Sequence, residues 1–175
     1  MKKILPWAGA AAVLAAGVLT FAQAGSAAEA TASPLSLVED YSYPNAAQIL
    51  AEQNVKLISG DGNILLVDCS TPAEGDIGLL KIWTTDETIG ADGVGRVCFK
   101  ILKAPGLLNL EVPGVYEIRG DGQRTGTGHE VTATIKPEGG TQKAVPVDAD
   151  GSVQVGQGAD PNDVPTTLLK IEAKG

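Results

Sequence analysis

One histidine and two cysteines are the whole stock of imidazole and thiol groups in this chain. Site chemistry therefore has to be built on His129, Cys69 and Cys98, or on oxygen ligands. A catalytic serine or cysteine needs a histidine base held by a third group. His129 is the only base on offer, beside Glu130 in a glycine-rich stretch, and no G-x-S-x-G turn accompanies it. A lone histidine at a strand start is usually structural or solvated, so no catalytic residue is expected. Zinc asks for more nitrogen and sulfur ligands than these. Calcium asks for oxygens at alternate positions and a glycine that bends the backbone, which Asp148-Ala149-Asp150-Gly151 supplies. Pro146 stands where the first ligand belongs and Gln157 where the closing glutamate belongs, which excludes an EF-hand. A looser calcium site would recruit Asp160 and Asp163. Solvated turn residues are the simpler reading, and no metal or other cofactor is expected. Paired glycosidase carboxylates keep no fixed spacing, but sugar-cleaving clefts are lined with aromatics, of which the chain has few.

Binding chemistry is better represented. Trp83 shares a strand face with Lys81, and an outward tryptophan can stack on sugar rings or anchor a protein partner. Tyr41 and Tyr43 would join it if the helix that follows them covers the same layer. The competing reading makes Trp83, Tyr41, Tyr43 and the cysteines a second small core beneath that helix. Arg119-Gly120-Asp121 resembles an integrin-recognition tripeptide, yet before Gly122 it is also what any tight turn looks like. Recognition is not expected from it. Cys69 and Cys98 are an even pair in a chain that begins like an exported one, so one disulfide is expected. Closing a loop of about 30 residues would stabilise the fold by roughly 3 to 4 kcal/mol.

Strands must position these residues. From Arg96 to Arg119, Val97, Phe99 and Ile101, then Leu108, Leu110 and Val112, then Tyr116 and Ile118 alternate with polar neighbours. That period of two predicts three half-buried strands, and Pro105-Gly106 and Pro113-Gly114 would fold them back as a meander. If Phe99 faces the core, Cys98 and the disulfide face the opposite layer. Pro44 to Gln53 predicts the one helix, with Ala46, Ile49, Leu50 and Gln53 on one side. Val55–Ile58 and Ile64–Cys69, joined by Gly60-Asp61-Gly62-Asn63, read as a hairpin. Its second arm is apolar on both faces, so something should cover it, and the helix is the nearest candidate. Leu79–Thr84 is a strand with Leu80 and Ile82 inward, and 86–95 a long exposed connection. Gly120 to Gly128 reads as a flexible loop. Strands follow at His129–Ile135, at 144–147 with Pro146 marking an edge, at Val153 and Val155, and at 168–173 with Leu169 and Ile171 inward. Asp-Gly recurs at Asp61, Asp92, Asp121 and Asp150, but the flanks share no apolar register, so repeats are not expected. About eight to ten short strands with one N-terminal helix packed on one face predict a mainly β fold, an antiparallel β-sandwich.

Lys2 and Lys3, the apolar run from Ile4 to about Phe21, and small residues at Ala22-Gln23-Ala24 and Ala28-Glu29-Ala30 have the layout of a secretory signal peptide. It is expected over residues 1–28, with cleavage between 24 and 30, followed by a mobile lead-in at 29–40 and one domain from 41 to 175. Leu35, Leu37 and Val38 of the lead-in could dock as an edge strand. The chain carries a net charge of −8 and a pI near 4.6, a balance that repels phosphate backbones and anionic lipid heads. Nucleic acid and, after signal cleavage, membrane surfaces are therefore not expected partners; an extracellular protein or a cell-wall glycan is. With this N-terminal layout, the VPGVYEIRGDG segment and the closing VPTTLLKIEAKG resemble small exported β-domain proteins of actinobacterial type. The resemblance implies export and a β domain and supplies no activity. The expectation is a secreted, non-enzymatic extracellular binding or structural module, with a secreted hydrolase or hydrolase inhibitor as the alternative.

Overall fold

Among the described residues the alternating runs form ten strands that pair into two five-stranded antiparallel sheets, an antiparallel β-sandwich with one short α-helix as the sequence predicts. The computed structural model describes residues 41–174, which lie within one compact unit. The expected signal peptide, its cleavage region and the lead-in with Leu35, Leu37 and Val38 fall outside the described residues. No helix among the described residues is long and apolar enough to cross a membrane.

Sheet I runs in the order β1 (Lys56–Gly60), β5 (Gly106–Val112), β10 (Thr166–Ala173), β7 (Val131–Pro137) and β8 (Lys143–Val147). Sheet II runs β2 (Ile64–Val67), β4 (Arg96–Ile101), β3 (Leu80–Thr84), β6 (Val115–Arg119) and β9 (Ser152–Gln154). Leu108, Leu110, Leu168 and Ile171 from the first meet Leu80, Ile82, Phe99 and Ile118 from the second in one core, all buried. Pro146 sits on the edge strand β8, as its missing N–H requires.

Two expected pairings are corrected. β1 and β2 do not form a hairpin: β1 pairs with β5 and β2 with β4, so the chain crosses between sheets at Gly60–Asn63. Asp61 holds that corner, accepting from the Asn63 and Leu107 N–H groups at 3.0 Å each. β4, β5 and β6 do not form a meander either, but alternate between sheet II, sheet I and sheet II. At each crossing the apolar face stays on the shared core, so alternation along the chain is unchanged. A smaller correction falls on β10, where an irregularity between Leu168 and Lys170 breaks the register with both neighbours. Leu168 and Ile171 are buried in consequence, and Leu169 is only half-buried.

The helix α1 (Ala46–Gln53) is bounded by Asn45 and Asn54, both left-handed at φ 57° and 55°, a conformation asparagine tolerates better than most residues. It packs against β1 and sets Ala46 and Ile49 on the core. Leu50, expected on the same side, is 45% exposed. Nor is the 86–95 connection wholly exposed. Ile89 enters the core, and the Gly90 N–H donates to the Gln53 carbonyl at 2.8 Å. Tyr43 is buried beside α1, with its hydroxyl accepting the Leu66 N–H at 2.7 Å.

The Cys69–Cys98 disulfide forms, with its Cα atoms 5.2 Å apart. Cys98 lies opposite Val67 and Lys81 on the outer face of sheet II, while Phe99 faces the core. The layer over that outer face is the segment from Cys69 to Leu79 rather than the helix. Glu74 of this strap pairs with Lys100, and the Gly78 N–H donates to the Asp121 carbonyl at 2.6 Å.

Two measurements check these assignments. Cys69→Ser with Cys98→Ser should lower the unfolding free energy in urea by about 3 kcal/mol, from the entropy of the released loop; no change would mean the strap is held without the bond. Tyr43→Phe strands the Leu66 N–H and should cost about 1 to 2 kcal/mol at neutral pH. Burial raises the folded Tyr43 hydroxyl above its usual value of 10.0. The unfolded tyrosine therefore ionises first, and stability falls as pH rises past about 10. Denaturant melts across that range should show this fall reduced in the Phe variant.

Candidate functional site

The strap leaves part of the outer face of sheet II open, and Trp83 stands in it. Cross-strand register sets two rows there. One runs Val67, Cys98, Lys81, Arg119, Ser152; the next runs Arg96, Trp83, Glu117, Gln154. Trp83 is half-buried because it stands on the pleat between Arg96 and Glu117, directly opposite both. The Arg96 guanidinium is gripped by Asp92, with Nε and Nη2 at 2.9 and 2.6 Å from one carboxylate oxygen. Lys81 and Arg119 form no ion pair among the described residues.

Beside Arg96 a cleft of about 160 Å³ opens, lined by Gln53, Asp68, Ser70, Asp92 and the disulfide. Asp68 accepts both the Ser70 hydroxyl at 2.5 Å and the Ser70 N–H at 2.7 Å. The hydroxyl is the larger influence holding the Asp68 carboxyl below the usual carboxylate range, and Arg96 adds to it. The cleft thus presents a carboxylate, a hydroxyl, an amide and a guanidinium, and Arg96, which lines it, is the cross-strand neighbour of Trp83. Sequence reasoning found Trp83 and Lys81 from strand parity. It missed Asp68, Ser70 and Asp92, which reach the site from loops with no periodic signal.

Tyr41 and Tyr43 do not join Trp83. Tyr43 is in the core, and Tyr41, 58% exposed, lies with Ser59, Leu107 and Asn109 on the far side of the sandwich. The alternative of a second core beneath the helix fails with them.

The glycine-rich stretch after β6 is ordered by close backbone packing, which corrects the expectation of a flexible loop. Gly122 N–H donates to the Ala149 carbonyl at 2.7 Å, Gln123 N–H to Asp76 at 2.9 Å, and Gly126 N–H to the Asp150 carboxylate at 2.7 Å. A Cβ at Gly120 would stand 2.2 Å from the Asp148 and Ala149 carbonyl oxygens, and one at Gly122 2.2 Å from that of Thr127. Glycine is needed there for approach. Asp121 sits between them, fully buried. It accepts the His129 N–H at 2.8 Å and lies 2.6 Å from Nδ1 of the same ring. The group that holds His129 is therefore Asp121, not the adjacent Glu130, and the pair fastens both ends of the loop. Burial of Asp121 also removes the Arg119-Gly120-Asp121 tripeptide from display.

The aspartates considered for calcium do not converge: no group of three or more His, Cys, Asp or Glu side chains suited to a metal occurs among the described residues. Asp150 serves Gly126, Asp160 accepts from Asn162 at 2.9 Å, and Asp163 from Val164 at 2.8 Å. The Asp148 carbonyl accepts the Gly151 N–H in the turn before β9.

Fold and site together describe a two-sheet antiparallel sandwich with a strapped outer face, an aromatic platform and a small polar cleft. Comparison with protein-family models and with curated proteins finds no match.

Asp121→Ala leaves the His129 N–H and ring without their acceptor in a buried place, and should cost about 2 to 3 kcal/mol. Urea melts check it, and hydrogen exchange should show loss of protection confined first to residues 120–129. Unchanged exchange there would show that the carboxylate does not hold the loop.

Proposed function

We propose that this protein is a secreted, non-enzymatic binding module that works outside the cell, with its ligand seated on the open outer face of sheet II at Trp83. The observation that carries the reading is the placement of Trp83. A half-buried indole stands between Arg96 and Glu117, next to the strand β4 that the disulfide ties to the segment following β2. Side chains on such a sheet need little ordering when a ligand arrives, which favours binding. The N-terminal layout supports export, and a disulfide is compatible with an oxidising compartment. A serine or cysteine hydrolase would have to use His129, whose Nδ1 is oriented by Asp121 as a triad requires. The described residues, however, hold no free cysteine and the sequence no G-x-S-x-G turn to serve as its nucleophile.

Two tests follow. Expression of the full chain in a secreting host should deliver it to the medium with a new N-terminus between residues 24 and 30, read by mass spectrometry; an intact N-terminus in the cell would remove the export reading. On columns of isolated cell wall and of secreted polymer, Trp83→Ala should lose about tenfold in affinity, equivalent to about 1.4 kcal/mol, at an unchanged melting temperature. Equal retention of both forms would remove the case for this face.

A further inference from the structure

We propose that the ligand of this face is an uncharged polysaccharide, one ring of which stacks on the Trp83 indole while its hydroxyls bond the charged side chains to either side. This rests on the Trp83 reading above and names its ligand class. The direct cross-strand neighbours of Trp83 are Arg96 on β4 and Glu117 on β6. Guanidinium only donates and carboxylate only accepts, whereas a hydroxyl does both. A sugar ring lying between them satisfies both sides at once.

The same pair disfavours charged ligands. An anionic polymer would meet Glu117 and the Asp92 carboxylate already bound to Arg96 as well as the cations Lys81 and Arg119. A cationic one would meet those cations as well as Glu117, so neither sign of charge finds a uniformly opposite face. A protein partner asks for apolar anchors that become fully desolvated, ringed by polar residues. None of the large exposed apolar side chains among the described residues lies on β3, β4, β6 or β9.

The cleft beside Arg96 sets the size of the ligand. At about 160 Å³ it is smaller than the roughly 300 to 1,000 Å³ of a site that engulfs a small molecule. It can take a substituent of one ring, with Gln53, Ser70 and Asp68 as partners, on the far side of Arg96 from the strand that carries Trp83. That geometry suits a chain of sugars better than a single one.

Native gel electrophoresis of the full mature chain through gels cast with dextran, laminarin, galactomannan or hydroxyethylcellulose tests this, with carboxymethylcellulose and dextran sulfate as charged probes. At least one neutral polymer should retard the protein, with no dependence on salt. Trp83→Ala should abolish the retardation, Glu117→Leu should weaken it about fivefold, and Glu117→Gln, which keeps an acceptor, should restore most of it. Circular dichroism and melting temperature check that each variant is folded. Retardation by the charged probes alone, lost in Trp83→Ala, would overturn the uncharged ligand and leave the Trp83 reading standing. Retardation by a neutral polymer that survives Trp83→Ala would overturn both. Failure of all four neutral polymers, or indifference to Glu117→Leu, would overturn this inference.

Discussion

The bond between Cys69 and Cys98 is the constraint on which the outer face of sheet II depends. Cys98 stands on the solvent side of β4, where an edge-to-centre row of a sandwich ordinarily meets water. The bond draws the strap across that row, and the strap buries Cys98 completely. Without a covalent tie the segment would have little to hold it. Its ion pair from Glu74 to Lys100 is largely exposed on the Glu74 side, and such pairs are worth little in water. The remaining anchors are backbone hydrogen bonds to residues 121–123, an exposed ion pair from Asp76 to Arg124, and the Thr127 hydroxyl on the Asp76 carbonyl. Closing the loop through sulfur fixes the strap at one end while the 120–129 loop fixes it at the other.

That second anchor turns on a carboxylate. Asp121 is buried at no exposure and compensated by two donors from one residue, His129. Burying a carboxylate is costly unless its lone pairs are used. The flanking glycines let the backbones of 76–78, 120–128 and 148–151 approach closely enough to enclose it. The Gly-Asp-Gly sequence is thus an arrangement for close approach. The four Asp-Gly dipeptides have no common role: Asp61 holds a corner between sheets, Asp92 grips Arg96, Asp121 closes the loop and Asp150 caps it.

Alternation made the strands legible, with the inward residues of β3, β4, β5 and β7, the edge position of β8 and the outward parity of Cys98. It could not say which sheet a strand joins. Both sheets present their apolar faces to one core, so a strand that crosses over carries the same pattern as one that folds back. Hence Gly60–Asn63 resembled a hairpin turn, and β4 to β6 a meander, although both segments cross. The doubly apolar β2 did signal a second covering layer, but proximity in sequence favoured the helix over a strap that returns from beyond Cys69. Composition misled most at Gly120–Gly128, because glycine marks flexible chain and tightly packed chain alike. Only the tertiary partners, Asp76 and Ala149, separate the two.

The site divides in the same way. Trp83 was visible because it lies on a strand, where parity determines its side. Arg96 and Glu117 become its neighbours only through strand register, and Asp68, Ser70 and Asp92 approach from loops. The strap and the platform are also linked physically. Cys98 and Lys81 are opposite one another, two residues along their strands from Arg96 and Trp83 and on the same face. The disulfide therefore borders the cleft it helps to line. A chain with only two cysteines has placed its one disulfide one cross-strand row from Trp83. That bond fixes one end of the strap and lines the cleft, while the 120–129 loop holds the other end, so the outer face of sheet II is shaped by one covalent and one hydrogen-bonded anchor.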